Sequence, residues 1–216
     1  MIAAEPALGV RPAGLYYFFI IMSPVGAYYP EGFNPTKIYV SDQYSRAVKG
    51  GVGDVKTAGN YAASLHMSQL AKKEGYTQVL WLDACEHRYV EEVGTSNIFF
   101  RISDRLVTPP LGGSILGGIT RHAVIALARH WGLEVEERPI AIDEIVAANG
   151  DGTLQEVFGT GTAAVISPVG ELFYKGVSHV VNGGRTGAVA ARLYEELQAI
   201  QRGYRDDPFK WTVRVG

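Results

Sequence analysis

The stretch Gly50 to Tyr61, GGVGDVKTAGNY, sets one lysine, Lys56, among glycines, small residues and β-branched residues, with a single acid, Asp54, two positions before it. An ammonium in such a setting has two chemical uses: it can hold a phosphate, or it can bond covalently to a carbonyl cofactor. A phosphate-cradling GxxxxGK[ST] loop needs glycine directly before the lysine, and Val55 stands there, although Thr57 follows. The dinucleotide pattern GxGxxG fails as well, because Lys56 occupies the place of the third glycine after Gly51 and Gly53. Covalent chemistry fits better. A lysine becomes nucleophilic when it is partly desolvated or set beside positive charge, and Gly51, Gly53, Ala58 and Gly59 leave room for a flat cofactor against the backbone. Such a lysine needs an acid for a pyridine nitrogen, a hydroxyl near a phenolic oxygen, and backbone amides for a phosphate.

A second cluster, DACEH from Asp83 to His87, gathers acid, thiol and imidazole. Without an HxxxH or CxxC spacing it reads as a structural strand end or loop rather than a metal site.

The elements that must position these groups follow from periodicity. Asn60 to Glu74 reads as a helix with Ala62, Leu65 and Leu70 near helical spacing, ending at Gly75, where a left-handed cap is cheapest. Ile119 to Trp131 opens a second helix after the glycines of LGGSILGG, and Arg185 to Gln201 a third, with Leu193, Leu197 and Ile200 on one face. Gln78 to Leu82, Ile98 to Ile102, Leu133 to Arg138 and Ala163 to Ser167 read as strands. The run Leu15 to Met22, LYYFFIIM, is too short to span a bilayer, and its aromatic and β-branched content before Pro24 reads as a buried strand. Residues 24–35, rich in Pro, Gly and Tyr, form the best linker candidate. An α/β or α+β domain therefore runs from about residue 36 to the end.

The totals narrow the class. The chain has 216 residues, 47% hydrophobic and 19% charged, a net charge of -2 and one cysteine, Cys85. These figures describe an ordinary globular protein with no electrostatic footprint for nucleic acid and no basic block for a membrane surface. A single thiol permits no intrachain disulfide and suits a reducing compartment such as the cytoplasm.

Four ordered blocks, GGVGDVKTAGNY, EEVGTSNIFF (Glu91 to Phe100), VTPPLGGSILGGITRHAV (Val107 to Val124) and EVFGTGTAAVISPV (Glu156 to Val169), resemble branched-chain aminotransferases, pyridoxal-phosphate enzymes of fold type IV. EPALGV and FIIMSPVGAYYPEGFNP upstream resemble the same family, so the likeness covers essentially the whole chain. It implies an α+β fold, the larger domain of the D-amino-acid aminotransferase-like architecture, with strands in a pseudo-barrel flanked by helices. It also implies transamination between Leu, Ile or Val and 2-oxoglutarate with pyridoxal 5'-phosphate as cofactor, in a homodimer. A relative of the same fold type, such as a D-amino-acid aminotransferase or aminodeoxychorismate lyase, and a non-catalytic cofactor-binding or dimerising fragment are the alternatives.

Carried over residue by residue, the resemblance makes Lys56 the catalytic lysine, bonded to the cofactor and later moving the proton between Cα and the cofactor carbon. It makes Tyr61 the partner of the phenolic oxygen and Glu92 the acid that keeps the pyridine nitrogen protonated; in a strand Glu91 points to the opposite face, and one of the pair is then merely solvated. The amides of Ile119 and Thr120, at the positive end of a helix, hold the phosphate together with Thr162. Thr95 and the amides near Ala163 and Ala164 take the substrate. Ala164 and Ser167 stand where some relatives carry CxxC, so thiol control is not expected there. The resemblance divides the chain into residues 1–23, corresponding to the end of a smaller N-terminal domain, a linker 24–35 and the larger domain 36–216. It finds no counterpart for most of the smaller domain, including an arginine that contacts the phosphate. The expectations that follow are weak turnover and an apolar run 15–22 left without its sheet.

Overall fold

The computed structural model describes residues 1–24 and 32–214; most of the expected linker, residues 25–31, lies outside them. In chain order the strands are β1 (Ile2–Ala3), β2 (Tyr16–Tyr17), β3 (Thr36–Ser41), β4 (Gln78–Leu82), β5 (Val90–Val93), β6 (Asn97–Ile102), β7 (Arg105–Thr108), β8 (Glu134–Glu137), β9 (Leu154–Gly161), β10 (Val165–Tyr174) and β11 (Val177–Val180). The α-helices are α1 (Ala58–Lys73), α2 (Ile119–His130), α3 (Ile142–Gly150) and α4 (Ala188–Gln201). No helix among the described residues is long and apolar enough to cross a membrane.

Strands β3 to β11 form one mixed sheet in the order β5-β4-β3-β10-β9-β6-β7-β8, with β11 added to the far half of β10. The pairs β3·β4, β3·β10 and β7·β8 are parallel, and the others are antiparallel. Bulges between Val169 and Glu171, Leu80 and Leu82, and Arg101 and Ile102 interrupt the ladders. Such bulges raise local twist, which lets a wide sheet curl.

Both faces of the sheet are buried, and alternation within single strands supplies both cores. Ile98, Phe100 and Val157 join Ile38, Val40 and Leu80 in a core that α3 closes with Ile142, Ile145 and Ala148. Phe99 and Phe158 stack on the other face under α2 and α4, whose Val124, Leu127, Leu193, Leu197 and Ile200 cover them. The expected apolar face of the third helix is thus the one observed.

Two expectations change. Helix α1 forms and stops before Gly75, which has φ +88°, but Leu65 and Leu70 face outward. Its buried stripe is Asn60, Ser64, Met67 and Ala71, seated on Val79 and Trp81 of β4. The stripe at helical spacing through 60, 64, 67 and 71 takes the sheet-facing positions, and Leu65 and Leu70 lie off it. The run Leu15 to Met22 is not a buried strand: only Tyr16–Tyr17 pair, with Ile2–Ala3, and Phe18, Ile20, Ile21 and Met22 are exposed. A two-residue ladder leaves most of this surface unpacked among the described residues.

Candidate active site

Four segments meet in one place: the loop between β3 and α1, the tight turn between β5 and β6, the segment before α2, and the turn between β9 and β10. Each is fixed by specific contacts. Asn60, at the first turn of α1, donates through Nδ2 to Val52 O at 2.7 Å and Val55 O at 2.8 Å, which folds the lysine-bearing loop back onto its helix. The β5–β6 turn needs Gly94, whose φ is +57° and whose Cα lies so near Gln78 that an added Cβ would sit 2.3 Å from Gln78 Oε1. Trp81 Nε1 donates to Gly94 O at 3.0 Å. Gly118 caps α2 in extended conformation, and no side chain caps the helix. In the last turn Val165 takes φ +59°, a left-handed conformation that β-branched residues rarely adopt and that tends to mark functional sites.

These segments enclose a cleft of roughly 580 Å³ lined by Lys56, Tyr61, Glu92, Thr95, Ile119, Thr120, Thr162, Ala163 and Ala164, within the size range of small-molecule sites. A smaller recess under Lys56 and Tyr61 continues it toward Arg46, Asn60 and Leu116. All the residues singled out for a role in the sequence therefore line one cleft. Lys56 Nζ lies 5.8 Å from the Tyr61 ring centre. Lys56 is exposed, so the partial desolvation expected of a reactive lysine is not present here; the cleft is open to solvent on the side where the lysine lies.

At the bottom of the cleft Glu92 is 3% exposed. Its Oε1 accepts from Leu116 N at 2.8 Å and from Asn97 Nδ2 at 3.4 Å, and its Oε2 lies 3.3 Å from Arg46 Nε. Desolvation outweighs Arg46 and the Leu116 amide, pushing its carboxyl up to about 7. One of the pair was expected to be solvated, yet Glu91 is buried as well: its Oε1 accepts the Ser114 hydroxyl and its Oε2 has no hydrogen-bond partner. The β5–β6 hairpin is covered on both faces, so alternation sends neither carboxylate to water. Burial also raises Glu91.

Several site residues escaped the sequence reading. Arg46 lies outside the four blocks, and Asn97, Ser114 and Thr160 lie inside them without a role of their own, because their roles depend on contacts across the fold. The readable signal was membership: Asn97 is in EEVGTSNIFF, Ser114 in VTPPLGGSILGGITRHAV and Thr160 in EVFGTGTAAVISPV. Asn97 Nδ2 also donates to Leu116 O at 2.8 Å, and its Oδ1 lies where a Cβ on Gly118 would be, 2.2 Å away. Thr160, opposite Asn97 across β9·β6, keeps a buried Oγ1 without a partner. Asp83 of the acid–thiol–imidazole cluster accepts from the amides of Cys85, Glu86, Arg88 and Tyr89, a self-contained loop cap.

Residues 15–172 match the family model of class IV amino-transferases. Over its full length the chain is 56% identical to the branched-chain-amino-acid aminotransferase 2 of Bacillus subtilis (strain 168), covering 59% of that protein. Over 99% of its length it is 53% identical to a probable branched-chain-amino-acid aminotransferase of Staphylococcus aureus (strain N315), covering 60% of it. The chain thus spans about three-fifths of the length of the curated relatives it matches. Among solved structures, the branched-chain amino acid aminotransferase of Escherichia coli superposes with a TM-score of 0.76 at 32% identity, over 88% of this chain and 59% of that one. The T.th. branched-chain amino acid aminotransferase complexed with N-(5'-phosphopyridoxyl)-L-glutamate superposes with a TM-score of 0.68 at 30% identity, over 79% and 53% of the two chains.

Proposed function

The chain belongs to the class IV amino-transferase family, and from that premise we propose that it transfers the amino group of Leu, Ile or Val to 2-oxoglutarate, using pyridoxal 5'-phosphate held by residues 36–216. The observation that carries this reading is the convergence of Lys56, the buried Glu92 and the uncapped start of α2 on one cleft. The donor set suits the cofactor: a primary amine for its aldehyde, a buried carboxylate for its ring nitrogen, and free helix-terminal amides for its phosphate. The unpartnered Thr160 hydroxyl adds a donor to the same cleft.

When bound, the cofactor supplies an electron-accepting ring that stabilises negative charge at the substrate Cα. Lys56 Nζ would hold the cofactor through its aldehyde carbon and would serve as the base that moves a proton at the substrate Cα. Glu92, ionised, keeps a proton on the ring nitrogen, where it is needed for the ring to accept electrons. Tyr61 donates to the phenolic oxygen, and its position in the first turn of α1 ties it to the lysine loop. Ile119 and Thr120 offer backbone N–H groups to the phosphate at the positive end of α2, and Thr162 adds a hydroxyl. Thr95 and the amides near Ala163 and Ala164 take the substrate carboxylate. The reading extends to a homodimer acting in the cytoplasm.

The test is a single-turnover experiment. With cofactor and excess ¹⁵N-leucine followed by 2-oxoglutarate, the chain should deliver the label to glutamate, and Lys56→Ala should abolish delivery. Cofactor bound without label transfer would overturn transamination, and retention of transfer in Lys56→Ala would overturn the assignment of the lysine.

A further inference from the structure

Glu92 could not aim a negative charge into the cleft unaided, because burial favours its neutral form and a second carboxylate lies beside it. The groups that face it are few. Glu91 comes from its own strand, Asn97 from β6, Leu116 N from the segment before α2, Lys56 from the lysine loop, and Arg46 from the stretch after β3. Arg46 is the buried cation of this set, its side chain 7% exposed. Its Nε lies 3.3 Å from Glu92 Oε2, and its Nη2 donates to Gly53 O at 3.2 Å and to Ser114 O. Gly53 belongs to the lysine loop, and Ser114 to the segment that leads into α2 and donates its hydroxyl to Glu91. The two backbones are in direct contact, for a Cβ on Gly53 would lie 2.5 Å from Ser114 O. One guanidinium thus meets the acid by an ion pair, its Nε making no hydrogen bond, and the lysine loop and the phosphate-side segment by hydrogen bonds from Nη2.

We propose that Arg46 is a positioning residue for this site, holding Glu92 ionised and aimed into the cleft while clamping the lysine loop onto the segment before α2. This rests on the reading of Glu92 as the acid facing the cofactor's ring nitrogen. Two buried carboxylates against one guanidinium leave an excess negative charge when both ionise, and burial raises both carboxyls, which favours keeping a proton on the pair. Arg46 decides how easily that proton leaves Glu92, and the cationic ring nitrogen is the group that would benefit.

The experiment compares wild type, Arg46→Lys and Arg46→Gln in two ways. Isotope-edited infrared spectra of chain labelled with ¹³C-carboxyl glutamate, assigned with Glu92→Gln, report Glu92 ionisation without cofactor. Absorbance titration with pyridoxal 5'-phosphate across pH reports binding. Arg46→Gln removes the charge and, with its amide ending near the place of Arg46 Nε, also the reach of Nη2 to Gly53 O and Ser114 O. Its Glu92 midpoint should rise by about one pH unit or more, weakening cofactor binding at pH 7 by about fivefold or more. Binding should recover at higher pH, and Arg46→Lys should keep the wild-type midpoint. An unchanged midpoint in Arg46→Gln, or a loss of binding equal at every pH, would overturn the proposal. So would Arg46→Lys behaving like Arg46→Gln. If Arg46→Gln does not fold while Arg46→Lys folds with the wild-type midpoint, the charge requirement is upheld; if neither folds, Arg46 is a packing hub and the proposal fails. Wild type that binds no cofactor would sink the reading of the site, and the infrared titration alone would then judge Arg46.

Discussion

Glu92 pays for its place at the bottom of the cleft, and the cost has a sign that can be measured. With a carboxyl raised from 4.5 to about 7, the protonated form contributes stability that is fully present below about pH 4.5 and lost as pH rises through about 7. Glu92→Gln, which stays neutral, should therefore match wild type near pH 4.5 and exceed it by about 3 kcal/mol at pH 8 in cofactor-free protein, as denaturant titrations would show. A constant offset between the two proteins at every pH would contradict the assignment of the raised group. Gly118 gives a second residue-scale prediction. A methyl there would press on Asn97 Oδ1, whose side chain is pinned by its bond to Leu116 O, whereas a methyl on Gly117 meets only Leu111 at 3.5 Å. Gly118→Ala should displace the start of α2 and weaken cofactor binding about tenfold or more, the worth of a charge-assisted hydrogen bond, while Gly117→Ala changes it little. Equal effects in an absorbance titration would count against the phosphate position. Lys56, Tyr61 and Glu92 were legible because they sit in ordered blocks of sequence. Arg46 was not, because its meaning lies in Ser114, 68 residues away, and a lone arginine before a glycine run has no local signature.

At the scale of elements, strong periodicity was enough to find α2 and α4 and the strands around Gln78–Leu82 and Asn97–Ile102. It failed for the face of α1, where leucines looked like core but the stripe seated against β4 is Asn60, Ser64, Met67 and Ala71. Strand β3 and strand β9 were missed as elements, since polar residues such as Thr36, Lys37 and Glu156 interrupt their apolar pattern. Glu156 in particular looks surface-like in sequence. In the fold it is 4% exposed, accepting Val189 N at 3.0 Å and Ala190 N at 2.9 Å at the start of α4, with Arg101 Nη1 at 3.0 Å. It serves as a cap brought in from another element and pinned by an ion pair. Glu156→Ala should cost about 2 kcal/mol and lower the melting temperature by roughly 4–8 °C. Calorimetry checks this, and a shift of under a degree would show that α4 starts equally well without the cap.

At the scale of the molecule, one curled sheet with a core on each face leaves its chemistry in a single cleft, where loops from distant parts of the sequence can be held by shared contacts. The same molecule exposes Phe18, Ile20, Ile21 and Met22 in one run, more contiguous apolar surface than a monomeric protein tends to show. The chain should accordingly self-associate, with a solution mass above 23.4 kDa, and Phe18→Ser with Ile20→Ser should reduce it. A monomer in sedimentation would remove that inference. The central claim, that Lys56 is the cofactor-bonding lysine opposite Glu92, is met most directly by incubating the chain with pyridoxal 5'-phosphate, reducing with borohydride and mapping the labelled peptide. The account predicts one adduct, on Lys56, absent in Lys56→Ala; an adduct on Lys49, Lys72 or Lys73 in its place would contradict it.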